Sequence, residues 1–300
     1  MKNKAKIAFL CFLIMISLLQ FEQIVCAAGK TDGKVTGCQI RVPVSVKMYE
    51  TSKSKEKIRN IKKGTVLKVL KYKNHRFYVK YKNKKGWISE KHIFINLIDY
   101  IPSIEYKLHL AQKENLFNIK GNPIPGVSGH LFYTSKAVRS GRQCWLNFIT
   151  AKKLLKVQKV LRKDGYSIVL YDAYRPRKVS KKLYNMISGS KLVGEMGGPV
   201  TDYITYCSAH NKGVAVDLTI KSIRTEKELE MPSKIMTLGR ESSEQTWYYS
   251  MKRGSQNARM LREYMIKAGF DYLPSEWWHF QDGNLYKGTF QQEDYYNISQ

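Results

Sequence analysis

Two short stretches of this 300-residue chain concentrate side chains that hold metals and move protons. One is Ser208-Ala209-His210-Asn211-Lys212-Gly213-Val214-Ala215-Val216-Asp217, the other Ser275-Glu276-Trp277-Trp278-His279-Phe280. Together they offer two imidazoles and a carboxylate, His210, Asp217 and His279, and a second carboxylate, Glu276, to spare. A catalytic zinc takes three protein ligands and keeps a fourth position open for water. Neutral imidazole and carboxylate both suit that ion, and the pKa of a water at such a position falls toward neutrality. A carboxylate nearby that is not a ligand, the role that fits Glu276, can take the water's proton and pass it to a leaving amine. The oxyanion that develops needs a positive partner. Arg175, in Tyr171-Asp172-Ala173-Tyr174-Arg175-Pro176, is the best candidate.

Bland readings stand beside these. His75, His92, His109 and His130 carry no ligand pattern and are read as surface or core. Asp217 lies in an apolar run, where a carboxylate is costly unless paired or bound to a metal. A purely structural ion pair with Arg175 is the alternative to metal binding. Trp277 and Trp278 are read as core rather than as a substrate shelf.

The elements that must position these groups follow from periodicity. Val214 to Leu218 reads as a strand carrying Asp217, with His210 in the loop before it and Gly213 permitting a close turn. Glu276 and His279 would point apart on a straight strand, so a bend or turn is expected between them. Pro176 biases Arg175 toward extended backbone, at a strand end or turn. Asn147 to Gly165 has helical spacing in Phe148, Ala151, Leu154, Leu155, Val157, Val160 and Leu161, with Gly165 as its stop. Ser167 to Tyr171 reads as a buried strand. Gly254 to Gly269 reads as a second helix, and Glu226 to Tyr249 as a long polar loop. Strands and helices without strict alternation point to an α+β fold.

The N-terminal third differs. From Gly37 to Leu97 short alternating runs, such as Val66-Leu67-Lys68-Val69-Leu70 and Phe77-Tyr78-Val79-Lys80-Tyr81, read as strands. Asn74-His75 and Asn83-Lys84-Lys85-Gly86 read as turns. Several short strands without a helix suggest a small all-β barrel. Ile98 to Leu108 reads as the entry to a second domain.

Composition sets the setting. The formal net charge is +28, from 52 Lys and Arg against 24 Asp and Glu, which recruits polyanions. Residues 1–28 read as a secretory signal peptide: Lys2, Lys4 and Lys6, an apolar run from Ile7 to Leu19, then small residues ending at Ala27-Ala28. The run is short for a membrane span, which needs about 20 apolar residues, so no stable span is expected after cleavage. Export points to anionic wall polymers as the polyanion, and no nucleic-acid partner is expected. Cys38, Cys144 and Cys207 would remain, enough for one disulfide at most. No Cys-x-x-Cys occurs, which argues against a thiolate zinc site.

Ser-x-His-x-x-Gly-x-Ala-x-Asp from Ser208 to Asp217, with Glu-x-Trp-His from Glu276 to His279, resembles the zinc D-Ala-D-Ala peptidases. The segment Tyr171 to Pro176, with Arg175, narrows the resemblance to the D-alanyl-D-alanine dipeptidase branch, which includes the vancomycin-resistance dipeptidase. It spans roughly Ile98 to Gly283. It implies zinc ligands at His210, Asp217 and His279, a general base at Glu276 and a transition-state-stabilising Arg175. Ser208 matches a family position near the substrate, and Asp172 matches a supporting acid; both are expected to help bind substrate. The implied fold is a mainly antiparallel sheet flanked by helices. Ile61 to Thr65, Phe77 to Tyr81 and Gly86-Trp87-Ile88 resemble bacterial SH3-like domains, which commonly tether wall enzymes. The expected domains are therefore residues 1–28, a signal peptide; 29–97, an SH3-like wall-binding domain; and 98–300, a zinc dipeptidase. The expected activity is hydrolysis of the D-alanyl-D-alanine dipeptide. A secreted D,D-carboxypeptidase or endopeptidase acting on peptidoglycan stem peptides is the alternative, and a wall-binding protein with a structural zinc is a third reading.

Overall fold

The computed structural model describes residues 32–108, 143–177, 208–238 and 243–288, with the short pairs 118–119 and 122–123 and Ser180. The expected signal peptide, Cys207, His109 and His130 lie outside the described residues.

The first strands form where alternation is strongest. They are β1 (Gln39–Arg41), β2 (Val46–Tyr49), β3 (Lys57–Ile61), β4 (Val66–Lys73), β5 (Arg76–Tyr81), β6 (Lys84–Ser89) and β7 (Phe94–Asn96). In β5 the inward Phe77 and Val79 are fully buried between less buried neighbours, the period-two signature of a half-covered strand. The β4–β5 hairpin turns at Asn74-His75, both with positive φ (52° and 56°), as tight two-residue hairpins require. The next hairpin departs from expectation. Its turn is Lys82-Asn83, while Lys84 to Gly86 already belong to β6. Gly86 serves close packing instead: a Cβ there would meet Met48 Cγ at 2.7 Å and the Tyr49 carbonyl at 2.8 Å.

A one-turn helix, α1 (Leu97–Tyr100), and β8 (Glu105–Tyr106) follow, then β9 (Asn118–Ile119), β10 (Asn122–Pro123) and β11 (Trp145–Asn147). Strand β11 pairs antiparallel with β7, so the sheet order is β11-β7-β1-β4-β5-β6-β2-β3 and pairing crosses the expected boundary at residue 97. Helix α2 (Phe148–Lys163) starts where Asn147 Oδ1 accepts the Ile149 N–H at 2.9 Å, an N-cap. Its apolar face joins the two parts of the molecule: Phe148 packs edge-on against Phe77 at 4.9 Å between ring centroids, with Tyr72 and Tyr100 around it.

After α2 come β12 (Tyr166–Asp172), β13 (Ala215–Ser222), β14 (Thr237–Leu238), α3 (Glu244–Trp247), α4 (Arg253–Lys267), β15 (Asp271–Leu273), β16 (Glu276–Gln281) and α5 (Gly283–Gly288). The second large sheet has the order β15-β16-β13-β12-β8, antiparallel except for β8, which runs parallel to β12. The architecture is α+β with a mainly antiparallel sheet, as expected. The segment read as a long loop, Glu226 to Tyr249, carries the short strand β14, which pairs with β9, and the single turn α3, whose Trp247 is buried. One continuous apolar core runs through both sheets.

Candidate metal centre and active site

The site is assembled by register. Asp172 on β12 lies opposite Asp217 on β13, and Asp217 lies opposite His279 on β16, so three neighbouring strands place three polar side chains in one rung. A bulge between Leu170 and Asp172 sets the first pairing. The expected bend between Glu276 and His279 takes the form of an irregularity in the ladder. Tyr272 pairs with Phe280 but the next residue, Leu273, pairs with Glu276, leaving Trp277 to His279 without partners on β15. That break lets Glu276 Oε2 lie 4.0 Å from His279 Nδ1.

His210 comes from a 3-10 turn, Ala209–Lys212, closed by Gly213 in the left-handed conformation (φ 64°). Its Nδ1 lies 2.7 Å from the Ala173 carbonyl. A carbonyl only accepts, so Nδ1 carries the proton and Nε2 keeps its lone pair, the arrangement of a ligating histidine. The turn itself is pinned by Asn211, which donates to the Arg175 carbonyl at 2.7 Å and to Ser180 Oγ at 2.9 Å and accepts from the Ser208 N–H at 2.8 Å.

The donor atoms converge. His210 Nε2 is 3.2 Å from His279 Nδ1, His279 Nδ1 is 3.1 Å from Asp217 Oδ1, and His210 Nε2 is 3.3 Å from Asp217 Oδ2. Two ligand atoms of a tetrahedral zinc, each about 2.0–2.1 Å from the ion, stand about 3.3 Å apart. The three residues are buried and their ligand atoms match that spacing. Two imidazoles and one carboxylate are also the donor types of a hydrolytic zinc, so the residues fit the ion.

The surrounding charges are arranged for that centre. Burial pushes the Asp217 carboxyl up, but the His210 and His279 imidazoles beside it outweigh burial and hold it well below the usual carboxylate range. Burial, helped by the Arg175 charge, pushes His210 down, but the Asp217 charge and hydrogen bond and the Asp172 charge together outweigh them, so the imidazole is raised overall. Glu276 is 7% exposed; burial, reinforced by Asp217 and opposed by His279 and Arg175, pushes its carboxyl up to about 7. Arg175, 6% exposed, donates from Nε and Nη2 to Asp172 Oδ2 at 2.9 and 2.6 Å, and its Nη2 stands 3.7 Å from Asp217 Oδ2. Asp172 is fully buried and also accepts the Ala173 N–H at 2.8 Å. It therefore holds Arg175 in place. Ser208 lies at the mouth of the 3-10 turn with a buried Oγ that has no partner among the described residues.

The structure thus gathers His210, Asp217, His279, Glu276, Arg175 and Asp172 in one place, with Ser208 at the start of the His210 turn. Sequence reasoning overlooked Asn211 and the Ala173 carbonyl. The first had a readable sign, an amide beside a ligand in a tight turn; a backbone carbonyl has none. Cys38 and Cys144 are buried free thiols outside this site, and burial pushes Cys38 up to about 12, so neither is poised as a nucleophile.

A sequence model of the Peptidase_M15 family, described as D-ala-D-ala dipeptidase, matches residues 131–296. The chain belongs to this family. As a member of this peptidase family it shows 29% identity over 140 residues to a D-alanyl-D-alanine dipeptidase of Enterococcus faecium, covering 43% of this chain and 69% of that protein. It shows 25% identity over 188 residues to the D-alanyl-D-alanine dipeptidase of Escherichia coli (strain K12), covering 62% and 83%. A solved structure of the vancomycin-resistance D,D-pentapeptidase VanY in complex with Zn(II) aligns at 16% identity with a TM-score of 0.27, over 51% of this chain and 84% of that one. The site described above lies inside the family match.

Proposed function

We propose that this protein is an exported zinc peptidase that hydrolyses the D-alanyl-D-alanine dipeptide, with a role in peptidoglycan metabolism. The observation that carries the reading is the triangle of three donor atoms at 3.1 to 3.3 Å with a fourth, non-ligating carboxylate 4.0 Å from one of them. Zinc held by His210, Asp217 and His279 supplies Lewis acidity toward water and the substrate carbonyl.

The chain's own groups do the rest. Glu276 accepts the proton of the attacking water at a carboxylate oxygen and delivers it to the leaving amine. Its place beside a ligating imidazole, at 4.0 Å from His279 Nδ1, suits both halves of that task. Arg175 brings positive charge to the developing oxyanion, and Asp172 fixes the guanidinium so that no reorganisation is needed. Ser208 is assigned to the substrate side of the site, with its Oγ as a buried hydroxyl that can still take a hydrogen bond. Asp172, expected there too, is fully buried against Arg175 and acts on substrate only through that guanidinium.

A second reading shares the chemistry and differs in substrate: a secreted D,D-carboxypeptidase or endopeptidase acting on stem peptides of the wall. The apolar leader and the excess of Lys and Arg on the exposed faces of β2 to β6 favour an enzyme working among anionic wall polymers. On either reading the protein is secreted and residues 29–97 form an SH3-like, basic wall-binding part. The deciding experiment is a product analysis. Purified protein with zinc is incubated separately with D-Ala-D-Ala, a stem pentapeptide and intact wall. Release of free D-Ala from the dipeptide supports the first reading; cleavage of pentapeptide or wall with the dipeptide untouched moves the assignment to the second. No cleavage of any of the three overturns both.

A further inference from the structure

The family match begins at residue 131, so strands β1 to β7 precede it. Their placement shows more than a tether. Strand β7 pairs with β11 through Phe94 opposite Asn147, Ile95 opposite Leu146 and Asn96 opposite Trp145. The join is sealed at both ends: the Leu97 N–H donates to the Cys144 carbonyl at 2.7 Å and the Phe148 N–H to the Ile93 carbonyl at 2.9 Å. Strand β11 in turn grips both loops of the metal site. The Tyr174 N–H donates to the Trp145 carbonyl at 3.0 Å, and the Asn147 N–H donates to the Gly213 carbonyl at 2.8 Å. The first contact fixes the loop whose Ala173 carbonyl orients His210; the second fixes the end of the turn that carries His210.

Phe94 stands behind both loops. Its ring lies 4.9 Å from that of Tyr174, in a buried cluster with Trp145. A Cβ on Gly213 would come within 2.8 Å of Phe94 Cε1 and Cζ, so the turn rests directly on the aromatic face. Lys152 of α2 adds a second join, with Nζ 3.1 Å from Glu90 Oε1.

We infer that the N-terminal sheet is a working part of the peptidase, and that Phe94 is a positioning residue which sets the His210 and Arg175 loops through Gly213 and Tyr174. The inference rests on the zinc-peptidase reading for its kinetic consequences, though not for its metal-binding ones. A pure tether would change only where the enzyme acts. A positioning sheet changes how well zinc is held and how fast a small soluble substrate turns over, because displaced supports of metal ligands weaken metal binding about 10- to 100-fold.

The test uses the full chain and four variants: Phe94→Ala, Phe94→Leu, Gly213→Ala, and Gly213→Ala combined with Phe94→Leu. Zinc affinity is measured by competition with a chelator, and kcat and KM are measured on soluble D-Ala-D-Ala. Phe94→Ala is expected to weaken zinc binding at least about tenfold and to lower kcat with little change in KM, while Phe94→Leu recovers most of both. Gly213→Ala alone is expected to lose zinc affinity, and the smaller leucine at position 94 in the double variant to restore part of it. Wild-type zinc affinity and kcat in folded Phe94→Ala protein would overturn the inference. If that variant does not fold, the Gly213 pair decides, and a double variant no better than Gly213→Ala overturns it. Should the wild type cleave no dipeptide, the functional reading fails by itself, and the zinc measurements still judge the positioning claim.

Discussion

Asp172 and Asp217 face each other across two hydrogen-bonded strands, a repulsive pairing that Arg175 neutralises by gripping the first and standing 3.7 Å from the second. The guanidinium holds the rung together, and on the proposed reading it also presents charge to the reaction. Lysine has the charge without the fork. Arg175→Lys is expected to lower kcat about 10²- to 10³-fold, the usual cost of losing one preorganised donor to an oxyanion, with a smaller change in KM; steady-state kinetics on D-Ala-D-Ala checks both. At this scale the sequence was informative where side-chain chemistry was the signal. Two histidines, an aspartate and a glutamate at such spacing have few uses together, and the structure brings them within a few ångströms. The same stretch hid the carbonyl of Ala173 and the amide of Asn211, because orientation of a ligand is a property of backbone geometry rather than of residue type.

Helix α2 is the element on which the two sheets depend. On one side Phe148 fills the aromatic cluster of the N-terminal sheet. On the other, buried Gln158 donates from Nε2 to Ser103 Oγ and to Ser167 Oγ, both at 2.9 Å, and accepts the Ile168 N–H at 2.9 Å. Truncating the amide strands these groups away from water, so Gln158→Ala is expected to cost about 1–3 kcal/mol for each buried group left unsatisfied. Phe148→Ala is expected to cost about 3–5 kcal/mol as a core deletion. Urea unfolding of each variant, followed by tryptophan fluorescence, measures both. The helix was legible because its apolar positions recur at 3.6-residue spacing from Phe148 to Leu161. The β5–β6 turn was misplaced because Gly86 reads locally as a turn former, whereas its role is to let Met48 and the Tyr49 backbone approach. The β16 break was legible only as a need, since Glu276 and His279 must share a face.

At the scale of the molecule, the join between the sheets is partly ionic. Glu90 is buried, which pushes its carboxyl up, but Tyr72, Lys152 and His75 donate to it and outweigh burial, so it titrates below the usual range. The folded state then holds its proton less tightly than the unfolded chain. The resulting stabilisation is full above the ordinary carboxylate value of about 4.3 and is lost as pH falls through the lower folded value. Melting temperature is expected to drop between about pH 5 and pH 3 in the wild type, and Glu90→Gln, which lacks the titrating group, to show a lower melting temperature at neutral pH and a shallower acid slope. The division of the chain at residue 97, natural from composition, is crossed in three dimensions by β11, a three-residue strand too short to be seen in the sequence.

On the proposed reading three ligands grip a zinc ion while Glu276 moves the proton, and zinc content and D-Ala release measured side by side in the wild type and in Glu276→Gln separate these two roles. One zinc per chain is predicted in both proteins, with hydrolysis lost in the variant alone. A variant that still releases D-Ala at the wild-type rate, or a wild type that does so after its zinc is stripped, contradicts the account.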